Sequence, residues 1–561
     1  MTELPPKFAD VAPPEPRDAD LHAAYDGLLA SIDGGAPVDA ALIARWESLR
    51  RSADTWTAWT RLRYQQDTRD ADRRADRQRS DEIGALVTEL NAAIKGRLLD
   101  PSRRAAAAAL VGENALALWR ADCAAFDPAI TEALVEEARI SAEYTALLAS
   151  AKIPFDGEIY DLVTIGKPAE SPDRATRERA ARARWVWFAE HRDQLDGLFD
   201  QLVGLRHGMA RALDLPDYTE LGYLQMQRVD YDRDDVERFR AEVRRVVVPL
   251  ATRLREEQRV TLGVDRLQSW DEAIDDPKGS PELIGGAEGL AASGQRAFDG
   301  LDPEIAAFYR MMTGRGYVDL GSRPGKAGGG FCTFLADHKV PFVYCAGNGT
   351  GSDVRTLVHE FGHAFQVWSS RDIELTDTLW PTYEAAEIHS MGLEFLAWPM
   401  LDEFFGDATD RFRRAHLVTA LCFIPYGVAV DHFQHLIYER PDATPAERHA
   451  MWQEMEAMYL PWRDYGDMPH ATDGGFWQRQ RHIYCSPFYY IDYTLAQTCA
   501  LQLWARSEDD HAGTMEAYRG LCRLGGTQPF QSLCSSAGLT SPFQAGCLDA
   551  VVARAEEWLS R

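Results

Sequence analysis

The 561-residue sequence predicts a mainly α protein with one small β-sheet. Three observations carry that expectation. Apolar residues recur at helical spacing through residues 20–260 and again from about residue 350 onward. A short run at residues 330–346 turns instead to strand-forming aromatic and β-branched residues. The strongest Gly/Pro break falls just ahead of that run, at Asp275–Gly294.

Leu28, Leu29 and Ile32 open the first helical stretch, and Ile43, Trp46 and Leu49 continue it at spacings of three. Arg61–Glu82 alternates Arg with Asp, which reads as a solvated helix face laced with i,i+4 ion pairs. Residues 105–150 and 174–250 are rich in Ala, Leu, Arg and Glu and read as helical. No repeat of fixed period is present, which argues against a solenoid. Pro277, Gly279, Pro281 and the pair Gly285-Gly286 make the following break a loop or a linker between lobes. A short helix is expected at Pro303–Met312. Gly328–Phe334 and Val340–Cys345 then form a hairpin or small sheet about the turn Asp337–Lys339. Gly347-Asn348-Gly349-Thr350 is turn-prone and leads into a helix. The glycines near 285–294 and 347–349 are candidate hinges. Helices dominate from there, with a loop at Asp464–Gly475. The domain division expected is an N-terminal helical lobe at 1–200 and a catalytic region at 201–561.

Composition narrows the function classes. Hydrophobic residues at 45% and charged residues at 26% are the balance of a globular chain. Sixty Lys+Arg against 87 Asp+Glu leave a net charge of −27, so most of the surface repels phosphate backbones and anionic lipid; neither nucleic acid nor membrane is an expected partner. No apolar run approaches the ~18 residues that span a bilayer, and Ala105–Trp119 and Val418–Val430 read as buried helix. The start, with Pro5, Pro6, Pro13, Pro14 and Pro16 among acidic residues, is unlike a secretion signal. Nine scattered cysteines without Cys-x-x-Cys pairs read as reduced thiols, and a cytoplasmic location is expected.

The segment that carries chemistry is Val358-His359-Glu360-Phe361-Gly362-His363-Ala364. Four residues of helix turn through about 400°, so His359 and His363 project from nearly one face and can share an ion. Glu360 lies about 100° further round, within reach of a metal-bound water without being a ligand. Ser352 is the expected N-cap, Asp353 an anion in the first turn, and Leu357, Phe361, Ala364 and Phe365 the buried face. A catalytic zinc site needs a third protein ligand. Trp380–Glu394 reads as a second helix with Pro381 in its first turn. It offers Glu387, 24 residues after His363, then Glu394 seven residues on, with His389 as a competitor. One glutamate would be the ligand and the other the partner of a ligand. Two imidazoles and a carboxylate favour zinc among divalent ions.

A third segment, Trp477–Tyr493, packs His482, Tyr484, Tyr489, Tyr490 and Tyr493 into twelve residues. Pro487 is expected to begin a helix that puts Tyr489 and Tyr493, and also Tyr490 and Tyr493, on one side. Positioned phenols and imidazoles stabilise the negative charge that grows on a carbonyl oxygen during hydrolysis, although such a stripe also serves as aromatic core.

Together these segments resemble the thimet-oligopeptidase and oligoendopeptidase F family of zinc metallopeptidases, nearest its bacterial, Pz-peptidase-like oligoendopeptidase branch. His359-Glu360-x-x-His363 is followed by Glu387, with Ser390 and Glu394 three and seven residues on, as in the family pattern. Gly330–Thr333, Pro341–Tyr344, Gly349-Thr350 and His482–Tyr493 match the branch's other motifs, over about residues 325–545. The resemblance implies a two-lobed helical ellipsoid with a deep central channel, one Zn2+ per chain and a small sheet beside the His-Glu-x-x-His helix. It implies His359, His363 and Glu387 as metal ligands, Glu360 as general base, and His482 with Tyr493 as oxyanion donors. Tyr484, Tyr489 and Tyr490 stand behind Tyr493 as substrate-binding residues. The function implied is zinc-dependent hydrolysis of internal bonds in short unfolded peptides. Two alternatives are a zinc exopeptidase (carboxypeptidase or dipeptidase) on a related helical scaffold and a non-catalytic peptide-binding protein. End-blocking a substrate separates the first from an endopeptidase. Glu360 speaks against the second, since binding alone needs no base.

Overall fold

The computed structural model describes residues 4–347 and 350–561. Asn348 and Gly349, part of the expected turn, the second candidate hinge and the Gly349-Thr350 motif, lie outside the described residues. The chain forms two compact units, each assembled from three stretches. One comprises Met1–Ala124, Pro281–Asp410 and Cys499–Ser541; the other comprises Ala125–Ser280, Arg411–Thr498 and Pro542–Arg561. The boundary drawn near residue 200 falls within the helix Arg192–Ala212 of the second unit.

In the first unit, Asp39 caps the helix Ala40–Gln66 by accepting from Leu42 N at 2.9 Å, and Asp70 caps Ala71–Leu98. The Arg/Asp-rich stretch therefore straddles two helices. Its pairs run mostly across elements or at i,i+3, such as Arg61–Asp81 and Arg79–Glu82, with Arg77–Asp81 at i,i+4. These helices bury Tyr25, Trp46, Trp56 and Trp119 in one apolar cluster. They are tied to the Pro281–Asp410 stretch through buried Asp377. Arg50 and Lys95 reach its carboxylate at 2.6 and 2.7 Å, and Trp119 Nε1 donates to it at 3.0 Å. Burial alone would raise the Asp377 pKa, but the two cations outweigh it and hold the pKa far below the ordinary range. This junction explains why residues distant in sequence form one body.

The expected break extends further upstream than drawn and ends earlier. Helix Gly286–Leu301 begins at the second glycine of the Gly285-Gly286 pair, where both residues take positive φ. Asp302 then caps Pro303–Gly314, with Pro303 at the first helical position. The sheet has three strands. Val340–Cys345 is central and wholly buried, antiparallel to Gly330–Leu335 and parallel to Val318–Asp319. Gly330 pairs with Cys345 and Leu335 with Val340. Residues 336–338 turn the hairpin, closed by Lys339 at φ 49°.

The second unit is helical apart from a hairpin, Ile153–Phe155 with Glu158–Tyr160, turned by Asp156 and Gly157 at φ 48° and 87°. Two positive φ values in a two-residue loop match the twist of a hairpin, and Asp-Gly is suited to them. Among the described residues one stretch, Trp398–Glu439, has the length and composition to cross a membrane. Its apolar window is 78% buried, as a core helix would be.

Candidate active site

The helix Gly351–Ser370 of the first unit carries His359, Glu360 and His363, and buries Leu357, Phe361, Ala364 and Phe365. It starts earlier than Ser352. Thr350 is the N-cap, in extended conformation, and Ser352 Oγ lies 2.8 Å from Thr350 Oγ1 inside the first turn. The second helix, Tyr383–Leu396, carries Glu387, Ser390 and Glu394. Its N-cap is Thr382, so Pro381 precedes the helix instead of opening it.

Gly362 sets how closely these helices approach. A Cβ there would lie 2.5 Å from His389 O and 2.6 Å from Ser390 Cα, distances that no side chain tolerates. The approach brings Glu387 beneath both histidines: its Oε2 is 3.3 Å from His359 Nε2 and 3.4 Å from His363 Nε2. One donor atom from each of His359, His363 and Glu387 falls within 4.8 Å of the other two. His359 Nδ1 donates to Glu394 Oε1 at 2.7 Å, which fixes the ring with Nε2 facing Glu387. Ser390 Oγ lies 2.8 Å from Glu387 Oε2 and donates to that carboxylate.

This donor set fits a divalent ion of intermediate hardness: two imidazole nitrogens and one carboxylate oxygen, with a carboxylate behind one imidazole. The electrostatics agree. Burial disfavours the charged form of His359, but Glu387 and Glu394 outweigh it and lift its pKa well above the ordinary value. Burial likewise opposes ionisation of Glu387, and the two histidines more than compensate, holding its carboxyl well below the usual range. The site therefore stabilises positive charge between its carboxylates. Glu360, 7% exposed, is not in the ligand group. Burial pushes its pKa up, and His359 and His363 pull it part of the way back. Gly330, at the start of the edge strand, lies over it; a Cβ there would meet Glu360 Oε1 at 3.2 Å and Thr356 Cγ2 at 2.6 Å. His389, the competing third ligand, falls outside the ligand group. It is fully buried, burial takes its pKa down to about 4, and its backbone carbonyl accepts from Tyr518 at 2.8 Å.

The second unit holds the aromatic group. His482 lies on the short helix Arg481–Cys485, whose final carbonyls at Ile483 and Tyr484 are capped by buried Arg206. Pro487 does not start the next helix. Phe488 takes φ 65°, and the helix begins at Tyr490. That left-handed residue costs about 1–2 kcal/mol and persists because its surroundings fix it. Its carbonyl accepts from Arg228, its N–H donates to Gln434 Oε1 at 2.9 Å, and its ring packs where a side chain on Gly222 would stand. The break folds the tyrosines back onto His482: ring centroids lie 5.7 Å away for Tyr489, 5.0 Å for Tyr490 and 5.7 Å for Tyr493. Tyr484 does not join them. It is fully buried, stacked on Tyr144 at 3.9 Å, and donates its hydroxyl to Leu195 O at 3.2 Å, so it offers no face to a substrate.

Two residues overlooked in the sequence complete this group. Tyr426 donates to Gln480 Oε1 at 2.8 Å, which orients the amide so that Gln480 Nε2 donates to His482 Nδ1 at 2.8 Å. His482 is thereby held as the neutral tautomer with its proton on Nε2, a hydrogen-bond donor. The available signal was slight: a glutamine two residues before the histidine.

Residues 304–553 match the model of peptidase family M3, and residues 8–126 match the peptidase M3 N-terminal domain. The chain is similar to a solved structure named oligoendopeptidase F, at 42% identity over 99% of this chain and 98% of that one, TM-score 0.93. It is likewise similar to PZ peptidase A, solved with an inhibitor, at 40% identity over 99% of each chain, TM-score 0.94. A third, named oligoendopeptidase F from Bacillus anthracis, is 35% identical over 100% of this chain and 99% of that one, TM-score 0.88. A search of curated proteins finds no match. The helical fold and the His-His-Glu group beside a buried glutamate define a metallopeptidase. The chain belongs to peptidase family M3.

Proposed function

We propose that the protein is a zinc-dependent oligoendopeptidase that hydrolyses internal bonds of short, unfolded peptides, binding one Zn2+ per chain through His359, His363 and Glu387. The observation that carries this reading is the donor group on two helices pinned together at Gly362, with Glu394 fixing His359 and Glu360 alongside. Zinc, when bound, supplies a Lewis acid that polarises the scissile carbonyl and acidifies water. Glu360 takes a proton from the attacking water and delivers it to the leaving amine, and its raised pKa suits both halves of that transfer. The products are a carboxylic acid and an amine, so the water is fully accounted for. His482 donates from Nε2, and Tyr493 from its hydroxyl, to the oxygen that becomes negative; Tyr489 and Tyr490 stand behind Tyr493. The edge strand Gly330–Leu335 offers backbone pairing to an extended peptide, which tolerates many side chains. Scattered cysteines and the net charge of −27 support a cytoplasmic location, with short peptides as substrates and neither nucleic acid nor membrane as a partner.

The test is a fluorescence-quenched peptide of about ten residues, blocked at both ends. Cleavage inside the peptide, abolished by a chelator and restored by zinc, is expected. Release of terminal residues from the unblocked peptide alone would favour an exopeptidase. Binding without hydrolysis would favour a peptide-binding protein.

A further inference from the structure

The second unit holds a partly open cavity of about 450 Å³, within the range of small-ligand sites. Its charged lining is Arg184, Arg255, Arg463 and Arg479 against Glu170 and Glu272, an excess of positive charge inside a chain whose net charge is −27. Glu272 is already committed: Arg463 holds it bidentately, at 3.1 Å from Nε and 2.7 Å from Nη2. Arg255 is anchored on Gln258 Oε1 at 2.7 Å and Glu272 O at 3.1 Å. Arg184 and Arg479 differ. Among the described residues neither has a carboxylate within ion-pair distance. The two lie within electrostatic reach of each other, and burial together with Arg479 takes the Arg184 pKa down to about 10. Buried donors at Arg184 Nε, Arg255 Nε, Arg463 Nη1 and Trp270 Nε1 have no protein acceptor. Leaving buried donors unmatched is unfavourable, more so on charged groups, so the arrangement calls for an acceptor.

The walls supply the remaining chemistry. Trp185, Trp270, Phe423, Tyr426 and Phe476 give the cavity an apolar lining, and Arg479 and Arg463 sit over the Phe476 ring at 4.8 and 4.9 Å. Guanidinium forks on an aromatic floor recognise a planar anion. Glu170 offsets part of the excess, which favours a monoanion over a phosphate dianion. The cavity also shares a wall with the candidate oxyanion group. Tyr426 lines it and orients Gln480 against His482, while the Tyr426 and Phe423 rings lie 5.7 and 5.8 Å from Tyr490.

We propose that this cavity is a carboxylate-binding site in which Arg184 and Arg479 hold an acidic group of the peptide ligand. The peptide part rests on the function proposed above; the carboxylate part rests on the cavity alone. The group could come from the peptide's C-terminus or from an acidic side chain, and the test distinguishes them. Isothermal titration of zinc-loaded Glu360→Gln protein would compare N-acetylated octapeptides of one neutral sequence as free acid and as amide, then the amide carrying one Glu at successive positions, and finally glutarate alone. Roughly tenfold or tighter binding of a carboxylate-bearing peptide over the neutral amide is expected. Preference for the free acid assigns the terminus; preference for a Glu-bearing amide assigns a side chain. Arg184→Gln should abolish the preference and leave the neutral amide's affinity unchanged. Arg479→Gln, at a more exposed position, should do the same should the buried substitution fail to fold. Equal affinities throughout, or a preference that survives both substitutions, would overturn the site. Glutarate binding without discrimination among the peptides would overturn its assignment to a peptide group. Binding is read without turnover, so a protein that cleaved nothing would still answer the carboxylate question.

Discussion

The candidate metal group of the first unit and the aromatic group of the second solve opposite problems. In the first, charged side chains hold one another. Glu387 faces both histidines, Glu394 supports His359 from behind, and the members arise within 36 residues on two helices. In the second, neutral donors gather around His482, and residues far away in sequence place them: Arg206 caps the helix that carries it, while Arg228, Gln434 and Gly222 fix the strained turn at Phe488. A cluster of opposite charges is self-organising, because each member lowers the burial cost of the next. A cluster of neutral phenols gains little from mutual contact and depends on an external frame. The contrast predicts a separation of effects: damage to the first group removes metal, whereas damage to the second removes rate and leaves metal in place.

The sharpest test of that separation is Tyr493→Phe. Removing one donor to a developing oxyanion lowers kcat by about 10²–10³, with zinc content by elemental analysis unchanged. An equal loss on Tyr490→Phe alone would move the role to that residue, and a parallel loss of zinc would dissolve the distinction between the groups. Glu394→Gln comes next. It weakens support for His359 and should reduce zinc affinity about 10- to 100-fold in competition with a chelator. Wild-type affinity in that variant would mean that His359 needs no partner. Gly362→Ala should then destabilise the protein by about 1–3 kcal/mol in denaturant unfolding and weaken zinc binding, because the added methyl forces the two helices apart. Unaltered stability would show that the crossing is looser than its 2.5 Å approach implies. The smallest effect concerns pH. Glu360 must be ionised to accept a proton, and burial raises its pKa, so activity should be lost as pH falls through a value above the 4.5 of an ordinary glutamate. An acid limb of kcat/KM at or below that value would contradict the burial argument.

The same contrast explains what was legible in the sequence. His359 and His363 could be paired because helix geometry alone brings i and i+4 together, whereas the choice of Glu387 over Glu394 and His389 came from the family resemblance. The small sheet was equally visible from its strand composition. Helix starts were read less well: Ser352, Pro381 and Pro487 all looked like starting residues, yet the helices begin at Gly351, Tyr383 and Tyr490. The tight crossing at Gly362 and the left-handed Phe488 arise from tertiary packing that local propensity does not encode. Tyr484 was grouped with its neighbours by proximity in sequence, although the short helix turns its ring into the core against Tyr144. The Asp156-Gly157 hairpin, by contrast, did carry its signal in the flanking residues. Gln480 and the arginine cavity depend on contacts across the fold, and single positions carry no trace of them.

The central claim is that Glu360 is a base beside a metal site and not a member of it. The most direct measurement is Glu360→Gln, with zinc content and kcat determined on the same preparation. The account predicts one zinc per chain, as in the wild type, and a fall in kcat of about 10²–10⁴. Loss of zinc in step with activity would contradict it, since Glu360 would then be holding the metal and the division between ligand group and base would fail.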